Sequence, residues 1–423
     1  MPEYLLFAGY LFLFSWLVTR VKFFTRCGLS KSQLVIIFLL KVLAGIFYGW
    51  IGIYYGGHAK MWDTWIFHRF SMYEYELLLT DPREYLGNLF RNSYDEGLTR
   101  FFESEGSYWN DLKGSIFIKL LSVFNVFSLG HYYVNVIFYS FLSLFGIVGF
   151  FRVVTDLIPG RKLLILSALL LAPSFLYWTS GIHKEGMIFT GIALCLYSIY
   201  FAHKEKRFTA GKITALITGL LMVLTLRNFL IVLLVPALLT WVTANRFPAK
   251  TKQIFAGSYL LYILFFFTAG SISPKLDFPA AVANKQQEFL KRTGRATVAV
   301  QLLEPTAAGF LKNSGQAISL SMLRPYPTDV HNLLSLVSAA EINLLLLLLI
   351  LFLWKREKGL FSDPFWYCCL FFAISVLLSI GYSNNNIGAI VRYRSILVPM
   401  LAVPLLTGTD WAYYKRKLFG KSN

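Results

Sequence analysis

The sequence predicts an all-α polytopic membrane protein with about eleven transmembrane helices, and composition and run length carry this prediction. Hydrophobic residues make up 56% of the 423 positions, and the mean hydropathy is +0.57. The apolar residues run continuously, as in LITGLLMVLTL and EINLLLLLLILFLW, which is typical of membrane-crossing helices. An outer-membrane barrel would instead alternate apolar and polar residues over segments of about ten residues. We therefore expect residues 1–423 to form a single integral membrane domain.

The apolar runs place the predicted spans. The first run ends in Thr19 and Arg20 without a small-residue cleavage site, so we expect it to be retained as a helix. A further apolar stretch, 115–129, is short and carries Lys119 at its middle, which favours a re-entrant or interfacial helix. The eleven predicted spans are 4–19, 34–55, 131–152, 163–180, 187–203, 213–226, 228–244, 254–271, 333–354, 364–382 and 394–409.

The distribution of charge predicts the orientation of the chain. Of the 40 Lys and Arg residues behind the net charge of +18, 21 lie in six short loops. The two long segments, 56–114 and 272–332, hold only 6 and 7. The positive-inside rule therefore puts the short loops and the C-terminus in the cytoplasm, and the N-terminus and both long segments outside. Because the basic residues follow the loops, we expect no nucleic-acid partner. The long segments are expected to be external loops bearing interfacial helices.

The first external segment contains an acid-rich and aromatic stretch, WDTWIFHRFSMYEYE. Asp63 follows a predicted span and is flanked by Trp62 and Trp65, so its carboxylate is our first candidate for a general base that accepts a proton from an attacking hydroxyl. Glu74 is a candidate for the same role, and so is Glu76 unless it lies on a solvated face. An acid between Asp95 and Glu105 is a further alternative that the sequence leaves open.

Cationic residues beside the spans fall on the predicted external side. An ionisable group at such a position is costly unless it faces protein or water, so it is a functional-site hypothesis. The planar fork of arginine matches phosphate oxygens, and lysine adds a point charge. The predicted ligand is the phosphate or pyrophosphate of a lipid carrier. The candidate binding residues are Lys184, Arg227, Arg324, Arg392 and Arg394.

The turn PSFLYWTSGIHKEG adds two candidate catalytic residues, His183 and Glu185. His183 either supports its two charged neighbours or acts directly in catalysis, and Lys184 and Glu185 can also neutralise each other. Interfacial Trp, Tyr, Lys and Arg residues serve as ordinary membrane anchors too. The candidates nearly all fall on the same predicted side of the membrane. This favours a functional role, because chance would place them on both sides.

Four of these motifs resemble the polytopic envelope glycosyltransferases of the GT-C superfamily, which include the dolichyl-phosphate-mannose protein mannosyltransferase type and relatives in bacterial polysaccharide clusters. They are the acidic motif of the first external segment, the PSFLYWTSGIHKEG turn, the LRPYP element and the RYRSILVP start of the last span. The resemblance implies a GT-C-like fold in which an external-loop acid, matched here by Asp63, acts in catalysis. It further implies a polyprenyl-phosphate-linked sugar donor and transfer at the external face. GT-C enzymes usually carry that loop after the first span, whereas here it follows the second.

The resulting hypothesis is a bacterial inner-membrane glycosyltransferase that moves a sugar from a polyprenyl-phosphate carrier to a glycan, lipid or protein acceptor. No cofactor is assigned, and a divalent metal is left open. Two alternatives remain. One is an O-antigen polymerase or ligase that uses lipid pyrophosphate donors, and the other is a lipid-linked oligosaccharide flippase or transporter.

Overall fold

A computed structural model of the chain is built almost entirely from α-helices. It describes residues 2–54, 63–94, 100–103, 106–291, 296–357, 359 and 362–419. Within these ranges no β-strand forms, and two isolated antiparallel bridges pair Thr297 with Asn386 and Arg356 with Thr409. The predicted all-α class is therefore confirmed. Trp62, His58 and the acids Asp95, Glu96 and Glu105 lie outside the described residues.

The helices are numbered here in chain order. The first ten are α1 (Pro2–Val18), α2 (Lys22–Thr25), α3 (Lys31–Tyr54), α4 (Asp63–Thr80), α5 (Pro82–Gly87), α6 (Tyr108–Ser128), α7 (Tyr132–Leu157), α8 (Lys162–Leu170), α9 (Pro173–Ser180) and α10 (Lys184–Lys204). The others are α11 (Ala210–Leu226), α12 (Asn228–Arg246), α13 (Thr251–Ile272), α14 (Phe278–Leu290), α15 (Ala307–Ile318), α16 (Leu333–Trp354), α17 (Pro364–Ser383), α18 (Ile387–Ser395), α19 (Val398–Gly408) and α20 (Trp411–Phe419).

Several of these helices are long and apolar enough to cross a membrane. Among the described residues there are 7 such helices, or up to 9 if the pairs α8 with α9 and α18 with α19 each count as one broken span. The chain is thus a multi-pass α-helical membrane protein. Helices α1 and α11 are apolar but shorter. Each of the eleven predicted segments coincides with one of these helices or pairs, and a total of eleven crossings stays a prediction, as does the orientation of the termini.

The contacts divide the chain into two compact units. Unit 1 comprises Met1–Val154 and Leu176–Ile231, and unit 2 comprises Thr155–Phe175 and Val232–Asn423. The sequence predicted a single membrane domain, because it shows no repeat or linker that would indicate two units.

In unit 1, two glycines let α10 and α11 pack backbone against backbone. A Cβ added to Gly191 would lie 2.8 Å from the carbonyl oxygen of Gly219, and one added to Gly219 would lie 2.5 Å from the carbonyl oxygen of Gly191. Small residues at a helix crossing allow this close approach. Because a short connection makes the two helices antiparallel, the start of α10 lies beside the end of α11.

Helix α6 extends the predicted 115–129 segment and packs against α4. Lys119, near its middle, forms an ion pair with Glu74 at 2.8 Å and also donates to the backbone carbonyl of Tyr85. Nearly two turns further along, Asn125 donates to Ser71 Oγ at 2.9 Å. The break predicted at Asp81-Pro82 is present, because α4 ends at Thr80 and Asp81 caps α5 through the backbone N–H groups of residues 83 and 84.

Unit 2 is organised around α17, which packs against α14, α15 and α19. The contact with α15 is close, since a Cβ on Gly381 would lie 2.2 Å from the carbonyl oxygen of Ala317. Residues 284–290 of the second long segment, NKQQEFL, form the end of α14, as the polar, helix-compatible composition predicted. Helices α18 and α19 meet at an angle of 65°.

Candidate functional site

Four predicted site residues of unit 1 form a continuous chain of contacts, which we call the imidazole cluster: Asp63, His183, Glu185 and Arg227. The Nε2 atom of His183 lies 3.2 Å from Oδ2 of Asp63, and its Nδ1 atom contacts Oε2 of Glu185. The other oxygen of Glu185 accepts a hydrogen bond from Nη2 of Arg227 at 2.5 Å. An imidazole thus lies between two carboxylates, and the inner carboxylate is held by a guanidinium.

Local structure explains why these residues meet. His183 is the N-cap of α10 in an extended conformation, and Glu185 lies in the first helical turn, where a negative charge is favoured by the helix dipole. Arg227 is the C-cap of α11. The close packing of α10 against α11 brings the carboxylate and the guanidinium together. The sequence had placed the start of this span at 187, three residues too late, because the charged residues were assigned to the loop.

Burial differs sharply along the imidazole cluster. The side chain of Glu185 is fully buried and that of His183 is 3% exposed, whereas 47% of the Asp63 side chain is accessible. A buried carboxylate is stable when it is paired and hydrogen-bonded, as Glu185 is. Among the described residues, the cluster is therefore most accessible at its Asp63 end.

Aromatic rings enclose the imidazole. The ring centroids of Tyr48, Phe67 and Trp178 lie 6.3, 5.9 and 5.7 Å from that of His183, each edge to face. Nζ of Lys184 lies 5.1 Å from the ring centroid of Phe67. Tyr139 donates its hydroxyl to the backbone carbonyl of His183. This packing fixes the ring plane, so Nδ1 and Nε2 have distinct partners.

Glycines make the turn before α10 tight. A Cβ on Gly181 would lie 2.2 Å from the ring of Tyr48, and one on Gly186 would lie 2.5 Å from the carbonyl oxygen of Thr179. A larger residue at Gly186 would have to move backbone, not only a flexible side chain.

The second predicted acid, Glu74, lies elsewhere in unit 1. Its carboxylate pairs with Lys119 and also accepts from Asn88 Nδ2 at 3.2 Å. Glu76 is exposed on the same helix. Of these three acids of α4, Asp63 alone is in the imidazole cluster. His68, also on α4, is largely buried, and this burial lowers its pKa to about 4.

The remaining predicted cations form an arginine cluster in unit 2: Arg324, Arg392 and Arg394. Arg394 is 2% exposed, and its Nη1 donates to the carbonyl oxygens of Ser321 at 3.0 Å and Arg324 at 2.8 Å. Its Nε and Nη2 atoms, and Nε of Arg324, are buried without a hydrogen-bond partner among the described residues. Buried N–H groups of this kind favour an anion as the missing acceptor.

Tyrosines and one aspartate orient the rest of this cluster. Nη1 of Arg324 lies 3.1 Å from Oδ1 of Asp329, and its guanidinium lies 5.0 Å from the ring centroid of Tyr326. Arg392 lies 5.0 Å from the ring of Tyr393 and donates to its hydroxyl at 3.3 Å. The prediction that these arginines share one site with Asp63 concerns both units and stays a prediction.

Two buried charges within apolar runs escaped the sequence reasoning. Lys41 is fully buried in α3 and donates to the carbonyl oxygen of Thr179. Glu341 in α16 is 5% exposed and accepts hydrogen bonds from the backbone and hydroxyl of Ser174 at 2.7 and 2.5 Å. The available signal was a single charge inside a hydrophobic run, as in LLKVLAG and SAAEINLLLL.

A metal centre is not evident in the described part of the chain, where no group of three His, Cys, Asp or Glu side chains is arranged to hold an ion. Dependence on a divalent metal is untested by this geometry. Comparisons of the chain with protein-family models, curated proteins and solved structures gave no match.

Proposed function

We propose that the protein is a membrane glycosyltransferase that transfers a sugar from a polyprenyl-phosphate-linked donor to a hydroxyl acceptor at the external face of the membrane. The observation that carries the proposal is the imidazole cluster, in which the half-exposed Asp63 leads to a buried imidazole, carboxylate and guanidinium. This arrangement suits removal of a proton from a hydroxyl group.

The proposed reaction is a displacement at the anomeric carbon of the donor sugar. The acceptor oxygen forms a bond to this carbon, the bond from carbon to the phosphate oxygen breaks, and the polyprenyl phosphate leaves with the electron pair. The acceptor proton goes to the Asp63 carboxylate. Neutral His183 with its proton on Nδ1, facing Glu185, presents the lone pair of Nε2 to Asp63, so it can take this proton onward.

Glu185 stabilises the imidazolium that this transfer creates, and Arg227 holds the Glu185 carboxylate in place through their ion pair. The Glu185 carboxylate accepts from Nδ1 and favours positive charge on the ring. Arg227 balances the Glu185 charge, so the buried group is neutral overall before the proton arrives. In this assignment Arg227 acts on the proton acceptor, which differs from the phosphate-binding role predicted from the sequence.

The arginine cluster of unit 2 is assigned to the anionic carrier. Arginine N–H groups without an acceptor among the described residues suit the phosphate of the donor and the charge that develops as it leaves. We expect Arg324→Gln to raise KM for the donor, because its side chain is 22% exposed and pairs with Asp329 at one end only. Arg416→Gln, on an exposed residue of α20, is the matched control and should leave KM unchanged.

The test of the proposed function is sugar transfer by the purified protein in lipid nanodiscs. Donors would be polyprenyl phosphates that carry labelled hexoses, with and without added Mg²⁺ or Mn²⁺, and polyprenyl pyrophosphate oligosaccharides. We expect Asp63→Asn to abolish transfer. Asp111→Asn removes a carboxylate that accepts from Tyr94 at 2.8 Å and should retain it.

Three results would overturn this proposal. Full activity of Asp63→Asn would remove Asp63 as the base. Products that grow only by whole repeat units from pyrophosphate donors would favour a polymerase or ligase. Movement of intact donor across the membrane without transfer would favour a flippase.

A further inference from the structure

Lys41 is a fully buried lysine in the middle of α3, one of the helices long and apolar enough to cross a membrane. A lysine at such a position is costly and is a functional hypothesis by default. Its Nζ atom donates to the carbonyl oxygen of Thr179 at 3.0 Å and to the hydroxyl of Ser180 at 3.2 Å. Within the described residues, no carboxylate lies within ion-pair distance of it.

The two acceptors belong to the last turn of α9, immediately before the turn that carries His183. The last carbonyl groups of a helix lack intrahelical donors and carry partial negative charge. A lysine at this end satisfies an acceptor and interacts favourably with the helix dipole. Lys41 thus holds the chain four residues before the imidazole.

Two further residues, Gly45 and Tyr48, lie on the same face of α3 as Lys41, four and seven residues further along the helix. Gly45 allows close backbone contact, since a Cβ there would lie 2.6 Å from the carbonyl oxygen of Ser180. Tyr48 packs against Gly181 and lies edge to face with His183. One stripe of α3 therefore contacts the segment from Thr179 to His183.

We propose that Lys41 is a positioning residue that sets the orientation of the His183 imidazole by fixing the end of α9. Tyr139 holds the other end of the same turn through the His183 carbonyl. Anchors at both ends keep Nε2 aimed at Asp63 and Nδ1 at Glu185. This inference deepens the proposed function and rests on it for its catalytic meaning, while the positioning itself is measurable without any activity.

The experiment compares Lys41→Met with Lys212→Met. Lys212 is the control in unit 1, because it too is a mostly buried lysine that donates to backbone carbonyls, those of Phe201 and Arg207, both at 3.0 Å. It differs from Lys41 in also pairing with Glu205, at 2.6 Å. Protein labelled with ¹⁵N-histidine in nanodiscs reports the two nitrogens of His183, assigned with His183→Ala. Lys41→Gln restores a donor without the charge.

We expect the His183 nitrogen resonances to shift in Lys41→Met, to return toward wild type in Lys41→Gln, and to stay unchanged in Lys212→Met. Transfer should fall about 100-fold in kcat in Lys41→Met with KM retained, as expected when a reacting group is displaced by about 1 Å. If Lys41→Met does not fold, Lys41→Gln and Lys212→Gln replace the pair, with a smaller shift expected in the first only.

An unchanged His183 spectrum in folded Lys41→Met, or in Lys41→Gln where Lys41→Met does not fold, would refute the positioning role. So would equal changes in the Lys41 and Lys212 variants, which would indicate general destabilisation. A Lys41-dependent spectrum in a protein without transferase activity would refute the proposed function and leave the positioning role standing.

Discussion

Replacing Glu185 by Gln should be among the most destabilising single changes in unit 1. The substitution removes a fully buried negative charge and leaves the Arg227 guanidinium, 11% exposed, without its compensating carboxylate. Breaking a buried ion pair by removing one partner typically costs about 3–5 kcal/mol, because an uncompensated charge remains in a poorly solvated position. We expect a loss of this size in the free energy of unfolding.

A double-mutant cycle isolates the pair. Arg227→Gln alone should also destabilise, whereas Glu185→Gln combined with Arg227→Gln removes both charges and should recover about 1–3 kcal/mol relative to the sum of the single changes. The control is the pair of Lys212 with Glu205, which has nearly the same separation, 2.6 Å against 2.5 Å, but a carboxylate that is 53% exposed. Its coupling should stay below about 1 kcal/mol.

The assay is equilibrium unfolding of the four variants of each cycle in one detergent, followed by helical circular dichroism. A coupling energy for the buried pair no larger than that of the exposed pair would refute the reasoning, because burial is the property in which the two pairs differ most. Stability equal to wild type in Glu185→Gln alone would refute it directly.

Three further predictions follow from unit 1. Unfolded His68 takes up its proton near pH 6.5 and folded His68 near pH 4, so the unfolded state binds more protons in between. Stability should fall by up to about 3 kcal/mol as the pH is lowered through this window, and His68→Gln should remove that part of the slope in unfolding measured from pH 8 to 4. Gly186→Ala should lower the melting temperature strongly, because the added Cβ would lie 2.5 Å from the carbonyl oxygen of Thr179. Gly211→Ala should leave it unchanged, because no atom lies within 4 Å of a Cβ added there, and equal melting temperatures of the two variants would contradict this reasoning. Lys119→Met should destabilise by about 1–3 kcal/mol by leaving the partly buried Glu74 carboxylate without its cation, and Lys119→Met with Glu74→Gln should recover most of the loss in the same measurement.

The apolar runs were sufficient to predict the helices, because a membrane-crossing helix is defined mainly by its own length and composition. The meeting of Glu185 with Arg227 was also within reach of the sequence, since a short connection makes consecutive helices antiparallel neighbours. The contact between Asp63 and His183 joins residues 120 positions apart. The predicted location of both residues on the external side favoured this contact without specifying it. A shared side restricts the depth of a residue in the membrane but leaves its lateral position open.

Other features depended on tertiary packing that no local pattern encodes. The sequence left Glu74 as an alternative to Asp63, and the pairing of Glu74 with Lys119 follows only from the packing of α4 against α6. The predicted start of α10 at 187 was late because charged residues were read as loop, although a helix N-terminus accommodates an acid in its first turn. The role of Lys41 could not be predicted, because the sequence does not show that its face of α3 packs against the end of α9.

The glycine contact between α10 and α11 has a mechanical consequence for the imidazole cluster. Gly191 lies six residues from Glu185, or about 9 Å along the helix axis, and Gly219 lies about 12 Å from Arg227. The backbones of the two helices are therefore in close contact at the glycines, and the ion pair lies farther along both helices. A methyl group added at this crossing would move Glu185 away from Arg227, so the buried ion pair depends on two residues that have no side chain at all.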